Sequence, residues 1–441
     1  MSAPNELPPG ATGLPFLGEV TEFLKDGFGF VEGRTERLGP VFKTKILGRP
    51  TAIIVGPDAA GQFIDESKIQ REGGMLPHIQ VLFGGRALPV LDGEEHRERK
   101  AFVMAAFTRD ALAGYLPEMQ RLVGAAFAGW ATGEELRWLD GFKRLALEVI
   151  STTVLGLPAG PTFDAIAKDY ELVGGGFSSL PIPLPGTSYD RARRALDRIL
   201  AVYAKNAQEH LASPRSDGLS RILAARSARD RRQITVDEAK VELHHIVVAG
   251  LIVWAWFVTA VQELERNPEI RERLRAEVAS LPAGPLTLEA LMAAPYLRQV
   301  SMEIRRLSPV VHVFFGKART AFEFAGHTIP EGWMVLWGIR SSHLRPEVYP
   351  EPTKFDPERF GPARHEQDRH PHAFVPNGAG DAHQNHKCAG YEFAPLLLQV
   401  FLVELLRGGT RWTFAPDQDL ALDYRTVPPE PRDGLRVRLT R

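Results

Sequence analysis

Phe374-Val-Pro-Asn-Gly-Ala-Gly-Asp-Ala-His-Gln-Asn-His-Lys-Cys388-Ala-Gly390 holds the only cysteine of a 441-residue chain. A lone thiol cannot close an internal disulfide, and no second cysteine is available for a zinc site. Cys388 is therefore an inert buried thiol, a nucleophile or a single thiolate ligand. The glycines, the His-Lys just upstream and the Ala-Gly that follows favour the ligand. Glycine lets backbone approach a flat cofactor, and cationic neighbours stabilise a thiolate.

The surrounding composition narrows the class. With 53 basic and 54 acidic residues the charge nearly balances, which argues against a nucleic-acid partner. At 44% hydrophobic and 24% charged the chain is globular material with length for a large core. One cysteine, no signal peptide and no long apolar run at the start point to a cytoplasmic protein without a membrane anchor. The longest apolar run, Ile246 to Ala260, is too short for a span and reads as a buried helix.

Residues 1 to 18 are rich in Pro and Gly and read as an extended arm, followed by an amphipathic segment at about 20 to 37. Val41 to Ile46 and Thr51 to Val55, split by Gly48-Arg-Pro50, predict a hairpin. From about 57 to 308 apolar residues recur at helical spacing, with breaks at Gly84-Gly85, Leu157 to Pro161 and Pro181 to Gly186. Residues 320 to 340 return to strand patterning, with a turn at Ile329-Pro-Glu-Gly332. A last apolar helix at 391 to 407 precedes short closing strands. No repeat or linker separates domains. The expectation is one unit over 1–441, β-rich at about 38–56 and 310–340, with its helical core at about 57–308 and 389–407.

Glu303-Ile-Arg-Arg306 places a carboxylate and a guanidinium three apart on one helix face, where they can pair. Downstream, Phe355-Asp-Pro-Glu-Arg-Phe360 carries Arg359, and two arginines could share one carboxylate in a buried cluster. Glu-x-x-Arg, Phe-x-x-Glu-Arg-Phe and the Gly-rich Cys-x-Gly loop occur in that order. In this the chain resembles the cytochrome P-450 superfamily over essentially its whole length. The resemblance implies the cytochrome P-450 fold, a triangular helical prism that is mainly α with a small β portion. It implies heme b (iron protoporphyrin IX) as cofactor, Cys388 as the axial iron ligand, and Glu303, Arg306 and Arg359 as a structural cluster. It also makes His386 a propionate contact. His96 and Lys100, four apart in Leu91-Asp-Gly-Glu-Glu-His-Arg-Glu-Arg-Lys100, are further propionate partners by the same resemblance, with Lys317 and Arg319 as additional candidates.

Phe374 precedes Cys388 by fourteen residues, where the commonest family pattern has seven. The longer loop resembles the bacterial fatty-acid peroxygenase and decarboxylase branch, as does the Pro-rich stretch Leu180 to Tyr189, which is also similar to the branch acting on retinoids. The helix over the open heme face is expected at Val241 to Trp256, with Val248, Ala249, Gly250, Ile252 and Val253 at the pocket. Typical monooxygenases place an acid and a Thr after Ala-Gly; here Leu251, Ile252 and Val253 follow Ala249-Gly250, and Thr259 falls nearly two turns too late. The Arg-Pro pair of the peroxygenases is absent too, its place taken by Val248-Ala249. Positioned proton transfer contributes ~10²–10⁴-fold, so its source matters. His244 and His245 are candidate acid-base groups, against the bland reading of a satisfied core histidine.

The resemblance therefore implies a heme-thiolate oxidoreductase, monooxygenase or peroxygenase. Its substrate is a small, largely apolar organic molecule, lipid-like or a secondary metabolite. It would be hydroxylated or similarly oxidised with hydrogen peroxide or through a ferredoxin/reductase system. Two other readings stay open. One is an isomerase or lyase that rearranges or dehydrates hydroperoxides; the other is a non-catalytic heme protein that binds gases.

Overall fold

Val41–Ile46 and Arg49–Val55 pair antiparallel with Ile46 opposite Arg49, so the hairpin turns at Leu47-Gly48 and not at Gly48-Arg-Pro50. Both turn residues have positive φ, 46° and 78°, the mirror-image turn whose twist suits a two-residue connection. Pro50 sits near the start of its strand, one residue before Thr51 begins parallel pairing with Met334, where a missing N–H is tolerated. The computed structural model describes residues 6–130, 135–407, 409–424, 426 and 428–440.

The chain forms two compact units. The first comprises Met1–Gln80, Pro89–Arg97 and Arg305–Cys388. Its five-stranded sheet runs in the order Val41–Ile46, Arg49–Val55, Met334–Gly338, Val313–Ala318, Ile69–Gln70. Alternate residues enter different cores: Ala52, Ile54, Val335 and Trp337 pack in one cluster, Ile53, Val55, Met334 and Leu336 in another. A sheet covered on both faces explains the near-continuous apolar runs in its central strands. Phe322–Phe324 and His327–Ile329 form a separate small hairpin through Ala325-Gly326, both at positive φ.

The second unit comprises Val81–Leu88, Glu98–Ile304 and Ala389–Arg441 and is mostly helical. The expected breaks fall where helices end. Gly84 and Gly85 follow Pro77–Leu82, Pro161 opens Pro161–Phe177, and the Pro-rich stretch separates that helix from Ser188–Ala212. Phe257 and Phe401 stack at 4.2 Å within an aromatic core that includes Phe142 and Trp138. Two short strands inside the helical region, Ile69–Gln70 and Glu135–Arg137, escape the sequence pattern because two or three residues carry no period.

Val236–Leu251 and Trp254–Arg266 follow one another with a tightened joint. Val253, Ala255 and Trp256 donate to carbonyls three residues back, Gly250, Ile252 and Val253, so the ladder shifts register across Ile252-Val253. Trp254 and Trp256 are buried, as expected of the apolar run, although the combined helix is long and apolar enough to cross a membrane by length and composition. Gly250 has a packing reason to be glycine. A Cβ there would lie 2.8 Å from Ile150 Cγ1 of the helix Trp138–Thr153. Gly250→Ala should therefore cost about 1–3 kcal/mol of stability through overpacking. The double variant with Ile150→Val should recover part of it, both read from urea melts.

Candidate functional site

The cysteine loop is held from both ends by its own backbone. Cys388 N–H donates to Asn377 O at 2.8 Å, and Gly378 N–H to Val375 O at 3.0 Å. Gly378 and Gly380 have φ of 86° and 84°, which a side chain would strain. The longer spacing from Phe374 is absorbed between the clamped residues. Asp381 Oδ1 accepts the N–H groups of His383 and Gln384, and Asn385 Oδ1 accepts that of Asp381 at 2.9 Å, so residues 381–385 form a reciprocally capped turn. The Cys388 thiol itself is half-buried.

Phe374 packs edge-on to Phe360, lies under the Arg305 guanidinium, and stacks on His343 with centroids 5.8 Å apart. His343 is the residue that sequence reasoning missed. Its Nε2 accepts from Val375 N–H at 2.9 Å, and its Nδ1–H donates to Arg306 O at 3.1 Å. These partners fix one neutral tautomer. Burial, reinforced by the charge of Arg306, pushes its pKa down to about 3.

The two arginines of the expected cluster come together. Arg306 and Arg359 are fully buried and meet at the carbonyl of Lys354. Arg306 also donates to His343 O and Pro352 O. Arg359 donates to Pro350 O and Glu351 O and makes an ion pair at 3.1 Å with Glu366. Glu303 is fully buried. Glu366, 1% exposed, also takes Arg364, and its distance from the motifs hid it in the sequence.

His96 and His386 come together, rings stacked 3.8 Å apart. Lys100, one turn beyond His96, is 1% exposed. Lys317 is half-buried and Arg319 exposed. Carboxylates unnoticed in the sequence border the pair. Glu66 offers an oxygen within 4.8 Å of both imidazoles, and Asp92 lies 3.9 Å from His386 Nε2. Asp92 is anchored by the N–H groups of Arg71 and Glu72. Arg71 is lowered to about 10 by burial, opposed by Asp92 and Glu66. The lone pairs of stacked imidazoles run side by side in their ring planes. That arrangement suits two donors along the edge of a flat ligand better than convergence on one ion.

In the second unit the two adjacent histidines separate. His244 is buried: its Nε2–H donates to Leu82 O at 2.8 Å, so Nδ1 accepts from the Tyr170 hydroxyl, which in turn meets Tyr203. Burial pushes His244 down to about 4, and this side chain is committed to packing. His245 is half-buried, and its Nδ1 lies 3.1 Å from Glu242 Oε2. Glu242, fully buried, also accepts from Leu88 N–H and Arg99 Nη1. From Val241 onward, Val241, His245, Ala249 and Ile252 form a half-buried stripe between buried residues, with Gly250 and Leu251 beside it. Val248 is 8% exposed at its margin, and Val253 is 1% exposed. Thr259 bonds back to Ala255 O.

The family model for cytochrome P450 matches residues 8–422 of this chain. Cytochrome P450 120 of the cyanobacterium Synechocystis sp. is 34% identical over 98% of this chain and 96% of the relative. Abscisic acid 8'-hydroxylase 3 of Oryza sativa subsp. indica is 29% identical over 99% of this chain and 87% of its own length. The solved structure of retinoic acid-bound cyanobacterial CYP120A1 superposes with a TM-score of 0.90 at 33% identity, covering 99% of this chain and all of that one.

The depressed histidines set a pH dependence. Unfolded imidazole titrates near 6.5, whereas folded His343 stays neutral down to about 3. Between those values the unfolded chain binds more protons, so stability is whole above pH 6.5 and falls as pH falls through this window. The loss is on the order of a few kcal/mol. His343→Gln, whose amide can both accept from Val375 and donate to Arg306, should flatten the fall between pH 7 and about 4 in denaturant melts.

Proposed function

We propose that this chain, which belongs to the cytochrome P450 family, hydroxylates an isoprenoid carboxylic acid. Its fold is that of the family, mainly α with a small sheet portion, and its cofactor is heme b. The residues present fit that group. Cys388 offers the single thiol, half-buried on a clamped loop. Within the first unit, His96, His386 and Lys317 are two imidazoles and an ammonium group wholly or partly withdrawn from water, which suit two propionates. When bound, heme supplies oxygen-transfer chemistry at an iron whose thiolate donation favours O–O cleavage.

The observation that carries the substrate reading is the open stripe of the Val236–Leu251 helix. Apart from His245, the stripe offers hydrocarbon at Val241, Ala249 and Ile252, so a ligand along it must be apolar over most of its length. Relatives named for abscisic acid and a similar protein bound to retinoic acid support an isoprenoid acid. Oxidation follows R–H + H2O2 → R–OH + H2O. Peroxide is favoured as oxidant because no acid-Thr pair follows Ala249-Gly250 and because the cysteine loop has the longer spacing.

Two measurements check this. Incubation with retinoic or abscisic acid should give hydroxylated product with hydrogen peroxide alone. Product formed only with dioxygen and a surrogate reductase would exclude the peroxide route while leaving hydroxylation intact. Consumption of fatty-acid hydroperoxides without added oxidant would instead identify an isomerase, and tight gas binding with no product a sensor. Cys388→Ala should abolish the thiolate signature in the reduced carbon-monoxide spectrum; its persistence would refute the ligand assignment.

A further inference from the structure

Glu242 is a carboxylate with no access to water on a helix that is otherwise apolar from Leu243 to Leu251 apart from two histidines. Three groups converge on it: Leu88 N–H at 3.0 Å, Arg99 Nη1 at 3.1 Å and His245 Nδ1 at 3.1 Å. A carboxylate can only accept here, so Nδ1 of His245 carries the hydrogen and Nε2 carries the lone pair in the neutral ring. Among the described residues, Nε2 makes no hydrogen bond to the protein. His245 shares the open stripe with Val241, Ala249 and Ile252, where it is the sole polar side chain. An imidazole held at one nitrogen by an anchored carboxylate, with the other nitrogen on an open apolar face, is the arrangement of an oriented general base.

We propose that His245 is the group that moves protons for the oxidation, with Glu242 as the residue that positions it. This rests on the oxidative function proposed above and supplies what Leu251, Ile252 and Val253 lack. Nε2 takes a proton from the peroxide oxygen that is retained and returns it to the oxygen that leaves as water. The net change remains R–H + H2O2 → R–OH + H2O. The charged groups facing this imidazole are Glu242 on its own helix and Arg99 across it. Beyond them Arg99 and Arg232 pair with Glu238, and Arg232 with Glu98. His244, next in sequence, is neutral and turned into the packing.

The test uses cyanide binding to the ferric holoprotein, which needs a base to strip the proton from HCN but needs no substrate or turnover. His245→Gln keeps a donor for Glu242 without a base, and His245→Leu removes both. Each should slow cyanide association by roughly 10²-fold or more near neutral pH. An unchanged reduced carbon-monoxide spectrum would show that the variants are folded and loaded. Glu242→Gln should displace the pH profile of association toward lower pH, because the imidazolium loses its counter-charge. Association slowed less than about threefold in both His245 variants would overturn the proposal, and a Glu242→Gln profile superimposable on wild type would overturn the positioning role. Should wild type form no product with any oxidant while its cyanide kinetics depend on His245, the histidine's role stands and the proposed function fails. Should product form while the variants bind cyanide at wild-type rates, the reverse holds.

Discussion

The hydrogen bond from the Val375 amide to His343 Nε2 is the constraint on which the first unit's chemistry depends. It requires an imidazole with a bare nitrogen, and burial supplies that by excluding the charged form. The other nitrogen is then committed to Arg306 O, and the Arg306 guanidinium returns a bond to the carbonyl of His343 itself. Arg306 and the cysteine loop therefore hold one another through a single neutral ring. Everything at Cys388 inherits that geometry, since the Val375 carbonyl also takes Gly378 N–H at the base of the loop.

The second unit uses the same side chain in two opposite ways within one dipeptide. His244 is surrounded by Tyr170, Tyr203 and a carbonyl, a set that rewards neutrality and direction. His245, one residue on, meets a carboxylate already fixed by Arg99 and a backbone amide. The helical step of about 100° per residue is what turns adjacent histidines to such different surroundings. Position on the helix sets the chemistry here more than residue type does.

Much of this was legible from residue patterns. The long helices, their Gly and Pro breaks and the sheet's apolar strands follow from periodicity, because each buries one face or two. The cysteine and the two buried arginines follow from rare residues in a fixed order. What stayed hidden has a common cause: partners that meet only through the fold. Glu366 lies beyond the Phe-x-x-Glu-Arg-Phe turn, and nothing local marks it as a counter-ion of Arg359. His343 carries no motif. Glu242 offered a readable hint, as a carboxylate three residues before a histidine on an apolar helix, but Arg99 and the Leu88 amide reach it from distant sequence. The turn at Leu47-Gly48 was misplaced because a proline signals a break more loudly than a leucine at positive φ does.

The reciprocal bonds between Asp381 and Asn385 have a consequence for remodelling the protein. They close the turn above a base that Asn377 and Cys388 have already tied, so the exposed tip at His383-Gln384 is mechanically insulated from the thiol. Doubling the length of such a loop costs only about 0.6 kcal/mol in closure entropy. The tip is thus a graft point: a reporter peptide spliced there would ride on the cofactor loop without pulling on its ligand.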